Sequence, residues 1–250
     1  MTDLVVPYQS HQGSDAQPSV FSSTRTVSGQ GASSVLPAEI QALCDTRNEC
    51  DGLLLLKKLP SNAIPLAFFD PQYRGVLDKL RYGNEGQRQR GRATLTQMSL
   101  ETIREFLQEL VRVIIPSGHV MLWVDKFHFV DGIKPWIVDL PMSTVDAMTW
   151  DKRRMGMGYR TRRQSEYLMV LQKEPTRAKG VWTVRNIRDV CSEKVEKKHP
   201  HAKPESLQAA LIEATTAPGD IVLDPAAGGF SVMRSAHSVG RRFLGCDLEG

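Results

Sequence analysis

Asp70-Pro71-Gln72-Tyr73 places an acid, a proline and an aromatic ring in a row directly after the apolar stretch Ile64-Pro65-Leu66-Ala67-Phe68-Phe69. A carboxylate beside a carbonyl at the end of a buried strand can accept both hydrogens of a planar amine, and a nearby tyrosine can stack on the ring that carries it. Such an amine is a poor nucleophile because its lone pair is delocalised into the ring. Two acceptors gripping its hydrogens favour a pyramidal nitrogen with the lone pair aimed outward. At the other end of the chain, Ile221-Val222-Leu223 runs into Asp224-Pro225-Ala226-Ala227-Gly228-Gly229. An acid followed by small residues lets a ligand lie against backbone at a strand end of an open α/β sheet.

The elements that must hold these residues follow from the apolar pattern. Residues 64–69 suit a buried strand that Asp70 ends. Leu100, Ile103, Phe106, Leu107, Leu110 and Val111 recur close to the helical period, which predicts an amphipathic helix stopped by Pro116-Ser117-Gly118. Strands are expected at 119–124, 166–171, 221–223 and 242–247, with helices from Pro204 (Leu207, Ala210, Leu211, Ala214) and over 231–239. Residues 37–59 contain an apolar, helix-like run. Strands alternating with helices predict an α/β fold with a mostly parallel sheet and helices on both faces. Residues 1–36 are rich in Ser, Gln, Gly and Thr and are expected to be a flexible tail, leaving 37–250 as one domain.

Two glycine-containing basic loops flank the predicted strand ends. The first, 74–97, carries Arg88, Arg90 and Arg92; the second, 151–163, carries Arg153, Arg154, Arg160, Arg162 and Arg163. A charge run taken alone is ordinarily a solvated face. Both loops follow the motifs at the strand-end rim, however, and the clustering behind a net charge of only +4 points to a polyanionic partner.

Cys44, Cys50, Cys191 and Cys246 lack paired metal-ligand spacing, and His199-Pro200-His201 lies among acids and lysines that read as solvated, so no metal is expected. The N-terminus has no signal-peptide pattern, and no apolar run approaches the ~20 residues of a membrane span. The expected setting is a reducing cytoplasm.

The ordered set of motifs resembles the β-class amino-methyltransferases of DNA, in which the catalytic motif precedes the cofactor motif. Asp70-Pro71-Gln72-Tyr73 resembles the family's Asp-Pro-Pro-Tyr. Trp150-Asp151-Lys152 with Met155-Gly156-Met157-Gly158-Tyr159 and Glu166 resembles its middle section, and His201-Ala202-Lys203-Pro204 its Lys-Pro motif. Asp224 to Gly229 resembles the cofactor loop and Gly245-Cys246-Asp247 the ribose-binding strand end. The likeness covers most of 45–250.

The resemblance implies a Rossmann-like class I methyltransferase that uses S-adenosylmethionine. It implies Asp70, Pro71 and Tyr73 as catalytic residues, and Lys203, Asp224, Pro225, Ala226, Gly228, Gly229, Phe230 and Asp247 on the cofactor. The family's Asp-Pro-Phe-Ala-Gly-Ser-Gly becomes Asp-Pro-Ala-Ala-Gly-Gly-Phe, so Phe230 replaces a glycine, either as a stacking surface or as packing for the next helix. The chain stops at Gly250 where relatives often continue with another helix, which leaves the adenine-side wall unassigned.

The leading acid of the catalytic motif resembles adenine enzymes more than the Ser-Pro-Pro-Tyr common in cytosine-N4 enzymes. The expected activity is therefore methyl transfer to N6 of an adenine flipped out of duplex DNA, or of one in a single strand. Only about thirty residues separate the Glu166 strand from Lys203, so specificity is expected to be short or relaxed. By resemblance, the compact size and the missing restriction domain imply a solitary or phage-type modification enzyme, in a bacterial or phage-infected host cell. A cytosine-N4 or RNA-base enzyme, and a catalytically silent nucleic-acid-binding module, remain the alternatives. Relatives often dimerise, so the resemblance allows a homodimer.

Overall fold

The computed structural model describes residues 36–72, 98–156, 160–195 and 202–248. Tyr73, Arg88, Arg90 and Arg92 fall outside the described residues, as do His199, His201 and the N-terminal 1–35.

In chain order the elements are α1 (Ala38–Gln41), β1 (Asn48–Glu49), α2 (Gly52–Lys58), β2 (Ile64–Phe69), α3 (Leu100–Val113), β3 (Ile114–Val124), α4 (Lys126–Asp131), α5 (Lys134–Ile137), β4 (Met142–Asp151), β5 (Ser165–Lys173), β6 (Val190–Ser192), α6 (Glu205–Thr215), β7 (Ile221–Asp224), α7 (Ser231–Ser238) and β8 (Arg242–Asp247). Helix starts carry the expected chemistry. Asp51 caps α2 by accepting from Leu53 and Leu54 N–H, and Ser99 Oγ caps α3 by accepting from Thr102 N–H.

The strands form one sheet in the order β1-β8-β7-β2-β3-β5-β4-β6. The run β1-β8-β7-β2-β3 is parallel throughout, β5 is antiparallel to both β3 and β4, and β6 returns parallel to β4. Along β2 the side chains alternate between two apolar clusters. Ala67 and Phe69 join Leu55, Leu56, Phe106, Leu107 and Leu110 under α2 and α3, whereas Leu66 and Phe68 join Leu207, Leu211 and Phe230 under α6 and α7. Both faces of β2 are therefore covered, which is why it reads as an unbroken apolar run.

β2 and β7 are parallel neighbours, in register at Leu66↔Val222 and Ala67↔Leu223. The chain leaves β2 toward β3 on one side and leaves β7 toward β8 on the other. Their carboxyl ends consequently open the crevice in which sheets of this kind take ligands. It holds Asp70 and Asp224.

The apolar, helix-like run expected within 37–59 is α2; before it lies β1, held by Asn48, whose Nδ2 donates to Leu43 O and to Gly245 O on β8, both at 2.9 Å. Two expectations are corrected. Pro116-Ser117-Gly118 does not separate helix from strand, because α3 ends at Val113 and β3 begins at Ile114. Those residues instead form a bulge, with Ser117 at φ 64° and the pairing with β2 shifting between Ile64 and Leu66. The polar stretch before Lys203 is not wholly linker, since it contributes β6 to the sheet edge.

Candidate functional site

Asp70 lies half-buried one residue past β2. Its Oδ2 is 2.8 Å from the ammonium of Lys203, which enters from the segment just before α6. The same ammonium lies 2.9 Å from Oε2 of Glu166 on β5 and 4.9 Å above the ring of Trp123 on β3. Glu166 also bonds Lys152, whose ammonium stands 5.4 Å over the ring of Trp150, the β4 residue paired with Glu166. Trp123 and Trp150 meet edge-on at 6.0 Å. Two acids and two ammoniums thus alternate on a floor of two indoles.

The electrostatics follow. Burial alone would raise the Glu166 pKa, but the Lys203 and Lys152 ammoniums outweigh it and hold the carboxyl at about 2. Burial likewise works against the Lys203 charge, and Asp70 and Glu166 overcome it, keeping the ammonium protonated well above the usual lysine range.

The loop after β7 is pinned from several sides. Ala226 N–H donates to Asp224 Oδ1 at 3.2 Å, Ala227 N–H to Cys246 O at 2.9 Å, and Gly228 N–H to Asp247 Oδ2 at 3.0 Å. Gly228 has φ +48°, a left-handed conformation that glycine adopts without strain. Burial pushes Asp224 up to about 8, against the Ala226 N–H, and the carboxylates of Asp70 and Asp247 add to the rise. At neutral pH the Asp224 carboxyl therefore keeps its proton. Pro225 is buried and Ala226 and Gly229 are half-buried, so backbone and small side chains form this wall.

Phe230 occupies left-handed backbone at φ 53°, ψ 37°, immediately before α7. Its ring is buried and meets Phe243 edge-on at 6.1 Å. Of the two roles open to it, the geometry favours packing the helix.

The structure also brings in groups that the sequence reading left without a role: Lys152, Trp123, and the glycine that opens α2. A Cβ on Gly52 would stand 2.0 Å from the Pro225 carbonyl oxygen. The N-terminal segment therefore closes the cofactor-side edge, where β1 pairs Asn48↔Cys246 and Glu49↔Asp247. No periodic signal marks a two-residue strand, although Asp51-Gly52 before a leucine run does mark a capped helix start.

In the second basic loop Arg153, Arg154, Arg160 and Arg162 are exposed. Arg163 is half-buried, with its guanidinium 5.5 Å over the ring of Phe127 on α4, and Lys126 Nζ donates to Thr161 Oγ1 at 3.2 Å. The loop and α4 form one surface beside the strand that carries Glu166. Among the described residues no helix is long and apolar enough to cross a membrane.

Residues 64–250 match the DNA methylase family model for N6- and N4-methyltransferases. The chain belongs to this DNA methylase family. It is 55% identical over 205 residues to the type II methyltransferase M.HhaII of Haemophilus parahaemolyticus, covering 81% of this chain and 90% of the relative. It is 26% identical to the DNA adenine methyltransferase YhdJ of Escherichia coli, over 80% of this chain and 76% of that protein. Among solved structures, M1.HpyAVI bound to S-adenosylmethionine superposes with a TM-score of 0.58 at 17% identity, covering 82% of this chain and 94% of that one. The cytosine-N4-specific PvuII DNA methyltransferase superposes at 0.61 and 14%, covering 81% of each.

The DNA methylase therefore has the Rossmann-like fold of class I methyltransferases, and its methyl donor is S-adenosylmethionine. The residues present fit that donor. Asp224 is a buried carboxyl held protonated beside the loop backbone, a cationic ligand placed next to it favours its ionised form, and the donor carries both an ammonium and a sulfonium.

Proposed function

We propose that this DNA methylase transfers the methyl group to N6 of adenine within a short DNA site. The observation that carries the reading is Asp70, ion-paired to Lys203 at the carboxyl end of β2, beside the β7 end that holds Asp224. An acid at this position supports adenine, as does the likeness to YhdJ, a DNA adenine methyltransferase. The fold itself is neutral between the two bases, because a cytosine-N4 enzyme shares it.

Asp70 and the Pro71 carbonyl accept the two amine hydrogens, and Tyr73 stacks on the base. S-adenosylmethionine supplies the methyl group when bound against Asp224, Pro225, Ala226, Gly228, Gly229 and Asp247. A nitrogen so oriented can attack the methyl carbon in line; the N–C bond would form as the S–C bond breaks, leaving a neutral thioether, and the methylated amine would give up one proton to solvent, so that no covalent enzyme intermediate is needed. A duplex target must first be unpaired, at a cost of a few kcal/mol, and a single-stranded one avoids it.

Arg153, Arg154, Arg160 and Arg162 contribute phosphate contacts that supply sequence-independent affinity, with Arg88, Arg90 and Arg92 of the first loop in the same role. Residues 174–202 are partly used by β6, which leaves no room there for a separate recognition domain and supports a short site.

Nucleoside analysis of mixed-sequence DNA incubated with the protein and S-adenosylmethionine tests the reading. N6-methyladenine is expected at one short motif. N4-methylcytosine in its place, or modified RNA with blank DNA, overturns it.

A further inference from the structure

The Lys203 ammonium has three N–H bonds to give, and three partners take them: Asp70 Oδ2 at 2.8 Å, Glu166 Oε2 at 2.9 Å and the face of Trp123 at 4.9 Å. We infer that Lys203 and Glu166 are positioning residues for amine methylation: Lys203 clamps one oxygen of Asp70, Glu166 clamps Lys203, and the second Asp70 oxygen is thereby fixed toward the amine. The inference rests on the proposed methyl transfer at Asp70 and adds to it the device that aims the carboxylate.

Several observations support the clamp. Glu166 is held from both ends, because Lys152 takes its other oxygen, and the four groups sum to no net charge. A carboxylate that receives a fixed ammonium on one side loses freedom to rotate, so its remaining lone pairs point in a set direction. Among the described residues the buried Trp123 indole N–H has no hydrogen-bond partner. A buried donor left unpaired is unusual. The ring is retained here for its face, against which the ammonium sits. A direct role for Lys203 on a cofactor carboxylate would require it to release one of these partners, and burial between two acids makes that release costly.

The charged groups around Asp70 come from every neighbouring element: Lys203 before α6, Glu166 on β5, Lys152 after β4, Asp224 on β7 and Asp247 on β8. Among the described residues, Lys203 is the cation in contact with Asp70.

The test uses full-length protein, mixed DNA and methyl-labelled S-adenosylmethionine, counting label on DNA whichever base receives it. Lys203→Met, Lys203→Arg and Glu166→Gln are compared with wild type by single-turnover rate and by cofactor affinity from calorimetry. Expected are a rate loss of a hundredfold or more for Lys203→Met, ten- to hundredfold for Glu166→Gln, and partial recovery for Lys203→Arg. Cofactor affinity of Glu166→Gln should stay within threefold. An unchanged Glu166→Gln rate overturns the inference, as does a rate loss matched by an equal loss of cofactor affinity, or a Lys203→Arg rate no better than that of Lys203→Met. Wild-type protein that labels no DNA overturns the parent reading and this one with it; full labelling by both wild type and Glu166→Gln removes this one alone.

Discussion

Gly52 and Pro225 meet backbone to backbone, so closely that a Cβ on Gly52 would stand 2.0 Å from the Pro225 carbonyl oxygen. The same Cβ would lie 2.9 Å from the Pro225 carbonyl carbon, so no flexible side chain can yield to it. Gly52→Ala must therefore push the start of α2 away from the cofactor loop. A loss of about 1–3 kcal/mol is expected, as for other overpacked sites. Thermal melts should show it, together with weaker cofactor binding in calorimetry, because the loop backbone that Pro225 begins is the proposed cofactor wall. Wild-type melting and affinity in this variant would mean that α2 is not clamped to the loop.

Asp70→Asn keeps the shape of the side chain but removes the charge that pairs with Lys203. Turnover should fall about a thousandfold, or roughly 4 kcal/mol of transition-state stabilisation, while cofactor affinity stays largely intact. Steady-state kinetics alongside calorimetry separates the two quantities. Retained turnover would remove Asp70 from the catalytic role.

The pH dependence of stability should carry two opposed contributions. Asp224 has its folded pKa raised from 3.8 to about 8, so the folded state keeps a proton that the unfolded state has lost, and this contribution declines as pH rises from about 4 to 8. Glu166 has its folded pKa lowered from 4.5 to about 2, so its contribution is complete above about 4.5 and is lost as pH falls toward 2. Melting temperature against pH should thus flatten on the neutral side in Asp224→Asn and on the acid side in Glu166→Gln. A wild-type profile in Asp224→Asn would show that this carboxyl is not held protonated.

Cofactor binding should also depend on pH. A cationic ligand beside Asp224 favours its ionised form, so below about pH 8 binding should release protons, and affinity should rise toward that pH. Calorimetry in two buffers of different ionisation enthalpy counts the protons. No release near pH 7 would count against contact between Asp224 and the donor's charged groups.

Arg160 and Arg162 are exposed on the loop between β4 and β5. If each neutralises a phosphate, the double change Arg160→Ala with Arg162→Ala should flatten the salt dependence of DNA binding by about two units of log–log slope. Affinity should weaken similarly across sequences. Fluorescence titrations at several salt concentrations measure this; an unchanged slope would return the loop to the status of a solvated face.

What the sequence revealed depended on burial. β2, β7 and β8 each lead an apolar run into an acid, since their position in the sheet covers both faces, and those acids were legible as candidates that the fold brings to one sheet end. α3 was legible because its buried stripe repeats every turn. β1 and β6 are too short for any period, and β4 is largely exposed over Thr144 to Asp146, so its pattern never stood out. The site's acids could be read one at a time. Their joining through Lys203 could not, because Asp70, Glu166 and Lys203 come together only when β2, β5 and the entry to α6 share one sheet end.

The strand order has a consequence for how the protein is made. β1 is synthesised early, yet its neighbour is β8, and both β8 and β7 must lie between β1 and β2. As the chain leaves the ribosome, the apolar edge of β2 waits beside a slot two strands wide that is filled only when β7 and β8 have been made. Until then that edge is open to other chains. Nascent protein stalled before Ile221 should therefore depend heavily on chaperones, and the cofactor crevice comes into being at the moment that slot is filled.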